Sequence, residues 1–129
     1  MALGLFMGPA AAQDATGVAV VTAQLDAISN QLGVTSGARV AGRLAQGRSQ
    51  VAALEVPAGE VHFLAACDGN CRDIDLIVRD PSGREVGRDN GPEDAAYVGL
   101  GRATAGRYTV EVLMADCTGE CHWGVGLFR

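Results

Sequence analysis

A chain of 129 residues with a formal net charge of −5 is the size of one domain, with no room for a second core. All ten basic residues are Arg, never two in a row, against fifteen acids, which excludes the basic patch that nucleic-acid binding requires. Eighteen glycines and only six aromatic residues predict a turn-rich fold whose core is built from Val, Leu, Ile and Ala.

The chain begins MALGLFMGPAAAQD, an apolar stretch that ends in the small residues Ala10-Ala11-Ala12. It reads as a shortened secretory signal over residues 1–12, without the positively charged start of a full one. Residues 13–37 then form a helix and its connection, and 38–129 the main domain. No later segment approaches the ~18 unbroken apolar residues of a membrane-spanning helix. The expected compartment is the periplasm or the exterior of the cell.

Val18, Val21, Leu25, Ile28 and Leu32 recur at intervals of three and four, the stripe of one amphipathic helix. Asp14 or Thr16 is its expected N-cap and Gly33 its C-cap. Such a helix either docks another chain or covers a face of the domain's own sheet, and the second role is the commoner.

From Ala38 the apolar period changes to two. Seven breaks delimit strands near 38–45, 49–56, 60–67, 73–80, 84–88, 95–100, 107–114 and 121–128. Ile74, Leu76 and Val78 take one face of the fourth strand, and Asp73, Asp75 and Arg79 the other. Tyr108, Val110, Val112 and Met114 form the inner face of the seventh, and Trp123, Val125 and Leu127 that of the eighth. Asp80-Pro81-Ser82-Gly83 carries the residues of a type I turn. With no second helical stripe to supply crossovers, the expected fold is mostly β: an eight-stranded antiparallel β-sandwich, jelly-roll-like, preceded by one amphipathic N-terminal helix.

Two of the loops share one spacing, CDGNC at Cys67 to Cys71 and CTGEC at Cys117 to Cys121. Outside the cytoplasm four cysteines read first as disulfides, and the two local pairings, Cys67 with Cys71 and Cys117 with Cys121, need no knowledge of the fold. A four-thiolate zinc site tolerates the same spacing. Acidic and amide residues crowd the first Cys loop and the 89–94 loop. If these loops meet at one end of the sandwich, Asp73, Asp75, Asp89 and Asn90 are candidate calcium ligands. Solvated turns and capping account for the same residues without a metal. His62 and His122 are the only histidines, and neither lies in a recognisable catalytic motif. His62, between Val61 and Phe63, faces outward if they face in.

The run from Gly42 to Phe128 resembles the bacterial pre-peptidase C-terminal domain, related to the collagen-binding domains of clostridial collagenases. GRLAQG, VPAGEVHFLAACD, CRDIDLIVRDPSGREVGRD and GRYTVEVLMADC carry the likeness. The resemblance implies a secreted β-sandwich with an accessory, non-catalytic role, here standing alone, and calcium stabilises the collagen-binding relatives. Together these readings predict a secreted or periplasmic binding or accessory module that recognises protein or polysaccharide. The alternatives are a zinc- or calcium-dependent structural domain, or a hydrolase with an unrecognised site.

Overall fold

The computed structural model describes the backbone of residues 3–129 and the side chains of residues 16–129. The signal-like reading of residues 1–12 and any capping by the Asp14 side chain lie outside the described side chains. One helix, α1 (Leu3–Leu32), precedes eight strands: β1 (Ser36–Ala45), β2 (Ser49–Val56), β3 (Gly59–Cys67), β4 (Cys71–Arg79), β5 (Glu85–Asp89), β6 (Ala95–Ala103), β7 (Gly106–Cys117) and β8 (Glu120–Phe128). The strands form two four-stranded antiparallel sheets, ordered β1-β8-β3-β6 and β2-β7-β4-β5. That order is a jelly roll, in which β4 and β5 form a hairpin within one sheet and every other connection between consecutive strands passes from one sheet to the other.

Period-two patterning places the core between the sheets. Leu54, Val61, Phe63, Ile74, Leu76, Val78, Val98, Val110, Val112, Met114, Trp123, Val125 and Leu127 are buried there, so each predicted inner face of β4, β7 and β8 does point inward. The ring of Trp123 fits because its register partner is Gly42, where a Cβ would sit 2.9 Å from the ring. The Trp123 Nε1–H is buried without an acceptor.

A second, smaller cluster lies outside the first sheet. Val21 and Leu25 of α1 are buried against Leu64, Ala66 and Phe128. Gly124 lets the helix come close: a Cβ there would stand 2.8 Å from Val21 Cγ1. Both faces of β3 and β8 are therefore covered, which explains the unbroken apolar run from Phe63 to Cys67. The helix ends as its sequence predicts. Gly33 has φ +70°, and the Gly33 and Val34 N–H groups donate to the carbonyls of Asn30 and Ser29 at 3.2 and 3.1 Å, a Schellman cap.

Two details of the helix depart from the sequence reading. It begins at Leu3, so Asp14 and Thr16 lie inside it rather than at its cap; the Ala-rich stretch continues the hydrogen-bond ladder, and no interior N–H is left for a cap to satisfy. Its buried row is Gly17, Val21, Leu25 and Ser29, whereas Val18 and Leu32 are 55% and 48% exposed. The approach of the Gly17 backbone to the His122 ring sets that rotation, since a Cβ at Gly17 would overlap the imidazole.

Candidate binding site

Four loops meet at one end of the sandwich. They are residues 46–48, 68–70, 90–94 and 118–119, and their backbones are hydrogen-bonded to one another and to neighbouring strands. Thr118 N–H donates to the Asn70 carbonyl at 3.0 Å and Ile74 N–H to that of Glu93 at 3.0 Å. Gln46 Oε1 accepts from Cys117 N–H at 3.0 Å. Disulfides join Cys67 to Cys71 and Cys117 to Cys121, with sulfurs 2.05 and 2.00 Å apart. No free cysteine remains, so no thiolate is left for a zinc site. Because Cys71 and Cys117 are register partners on β4 and β7, the two rings lie side by side.

Asp68 locks this end from within. Its carboxylate accepts from the N–H groups of Asn70 and His122, at 3.0 and 2.8 Å, and the residue is only 7% exposed.

The four predicted calcium ligands come close without forming a cage. Both oxygens of Asp89 are committed to backbone, one to Gly91 N–H at 3.0 Å and the other to Tyr97 N–H at 2.8 Å. Asp73 and Asp75 project from the outer face of β4. Burial, followed by the charge of Asp73, pushes Asp75 up to about 6. One Oδ1 of each is buried without a partner. Asn90 and Asp75 share a depression of about 120 Å³ with Ser49, Ile77, Arg88, Glu111 and Leu113. Among the described residues no three His, Cys, Asp or Glu side chains converge as metal ligands.

Among the described residues no helix covers the outer face of β2-β7-β4-β5. Val51 is 55% exposed there, an Arg79–Glu111 ion pair of 2.8 Å joins β4 to β7, and an Arg88–Glu85 pair of 2.8 Å lies along β5. The other sheet carries α1 over its centre. On the β1 side of the helix a cleft of about 580 Å³ opens between Val18, Val21 and Leu25 and the backbone of residues 39–43. Beyond the other flank of the helix, on β3 and β6, sit His62 and Tyr97.

His62 faces outward, as its neighbours require, since Val61 and Phe63 are fully buried. Its Nδ1 is 2.7 Å from Tyr97 Oη and its Nε2 3.2 Å from Glu60 Oε2. His122 is on β8, six residues from Phe128, the register partner of His62, or about 20 Å along the strand. The two histidines therefore cannot share one catalytic centre. Tyr97 was not legible as a site residue from hydrophobic patterning. The alternation Tyr97-x-Gly99-x-Gly101, which sets one outward ring among outward glycines, is the signal that could have found it.

No family model matches the chain, and no curated protein sequence matches it. Solved structures do share its fold. The pre-peptidase C-terminal domain of a collagenase from Bacillus anthracis superposes with a TM-score of 0.54 at 14% identity, covering 70% of this chain and 87% of that one. The Yersinia pseudotuberculosis-derived mitogen superposes at 0.50 with 15% identity, covering 70% and 82%. A periplasmic inhibitor of g-type lysozyme from Aeromonas hydrophila scores 0.49 at 17% identity over 74% of this chain and 89% of its own. At such identities the likeness establishes a common sandwich fold and no shared function.

Proposed function

We propose that this chain is a non-catalytic binding or accessory module of pre-peptidase C-terminal type, acting in the periplasm or outside the cell. The observation that carries the reading is the division of labour among its polar groups. Asp68, Asp80 and Asp89 are occupied in holding turns, and His62 and His122 lie about 20 Å apart along the strands. What the fold does present is surface: one sheet face that no helix covers among the described residues and, on the other sheet, an exposed aromatic shelf beside α1. The paired disulfides support an oxidising compartment, and one solved neighbour with the same fold is the pre-peptidase C-terminal domain of a collagenase.

The test compares two classes of activity on the purified protein. Retention on envelope proteins or on immobilised polysaccharide, with no turnover of peptide, ester or glycoside panels, is the expected result. Turnover that is lost in His62→Ala or His122→Ala would overturn the reading in favour of a hydrolase.

A further inference from the structure

Resting on that reading, we propose that the outer face of β3 and β6 is a sugar-stacking platform centred on Tyr97, whose ligand is a neutral polysaccharide. Tyr97 is 43% exposed, yet its ring lies down on the sheet instead of projecting. A Cβ at Gly99 would overlap Tyr97 Oη and meet Cζ at 3.0 Å and Cε2 at 3.3 Å. The hydroxyl is held by His62 Nδ1 at 2.7 Å, and the two rings stack at 5.8 Å with 28° between their planes. Glu60 fixes the far side of the imidazole. The ring is thus placed in advance, so little conformational freedom is lost when a ligand covers it.

The surroundings fit a pyranose better than other ligands. Gly99 and Gly101 leave the strand surface beside the ring without side chains, and a Cβ at Gly101 would meet nothing within 4 Å. A flat floor of this kind accepts the broad C–H face of a sugar ring. Apolar peptide side chains instead seek concave pockets. At its edge the platform offers the Glu60 carboxylate, whose side chain is 70% exposed, as an acceptor for sugar hydroxyls. The same carboxylate, with a net charge of −5 on the chain, disfavours phosphorylated or acidic ligands. Because β6 is the last strand of its sheet, a long polymer can lie across the platform and leave over the rim.

Electrophoresis through gels containing neutral polysaccharides (β-glucan, mannan, galactan) or acidic ones (alginate, hyaluronan) tests the assignment on wild type, Tyr97→Ala, Tyr97→Phe and Glu60→Gln. Wild type is expected to be retarded by at least one neutral polymer and by neither acidic one. Loss of the ring in Tyr97→Ala should weaken binding by about tenfold or more, as truncating an aromatic anchor does. Tyr97→Phe keeps the stacking face and should stay within about threefold, and Glu60→Gln should fall between the two. Thermal melting of each variant checks that it is folded. Equal retardation of wild type and a folded Tyr97→Ala would overturn the site while leaving the binding-module reading intact. Retention of one envelope protein with no neutral polysaccharide bound would overturn the ligand class alone. Absence of both kinds of binding would overturn platform and module together.

Discussion

Replacing Asp75 by Asn should stabilise the domain, and only where Asp75 would be charged. The folded protein holds the Asp75 proton up to about 6 against an ordinary value of 3.8. A raised carboxyl value means that the folded state binds the proton more tightly than the unfolded chain does. Its contribution to stability is therefore fully present below about pH 4, falls as the pH rises from there towards 6, and has been lost at neutral pH. The shift from 3.8 to about 6, at about 1.4 kcal/mol per pKa unit, sets a ceiling near 3 kcal/mol. Asp75 is partly solvated on an open sheet face, and screening reduces the expectation to about 1–2 kcal/mol. For a domain of this size that is roughly 3–8 °C in melting temperature. An Asn amide can also donate a hydrogen bond to the Asp73 carboxylate. Differential scanning calorimetry of wild type and Asp75→Asn at pH 4 and pH 8 measures the gap at each. A large gap at pH 8 that closes at pH 4 is the expected result. An equal gap at both values, or a less stable variant at pH 8, would refute the account of a carboxyl raised by burial and by the charge of Asp73.

Two further perturbations probe how the layers are held. Gly124→Val places a methyl group where Val21 Cγ1 stands 2.8 Å from the new Cβ, and should lower stability by about 1–3 kcal/mol through overpacking; hydrogen exchange should show α1 loosened while β4 and β7 stay protected. Replacing either cysteine pair by Ala should cost about 2 kcal/mol, the chain-entropy contribution of so small a ring. Because the rings lie side by side at Cys71 and Cys117, removing both should depart from additivity, and chemical denaturation of single and double variants measures the coupling.

The strands were readable because each inner face repeats with a period of two, and β2 spans Ser49–Val56, the residues its alternation predicts. The sheet order was readable only as a class, since pairing partners such as Cys71 and Cys117 are far apart in sequence. The rotation of α1 was not legible. It depends on Gly17 and Gly124 admitting the helix to the sheet, and a hydropathy stripe that includes Val18 and Leu32 does not weigh missing side chains. The acidic loops were located correctly, but Asp89 could be assigned to its turn only once the Tyr97 N–H was seen to reach it. Local composition locates an oxygen and leaves open which distant donor claims it.

The first and last strands of the sandwich are hydrogen-bonded neighbours, with Ser36 opposite Phe128 and Thr35 and Arg129 exchanging backbone bonds at 2.7 and 3.0 Å. Tension applied between these two points would pull at right angles to the strands and along the hydrogen bonds of β1 and β8. The pair would peel open one bond at a time, as a zipper does, instead of resisting in shear. A tether attached at both ends of the sandwich would yield at low force from this edge, while the disulfide-closed end stayed shut.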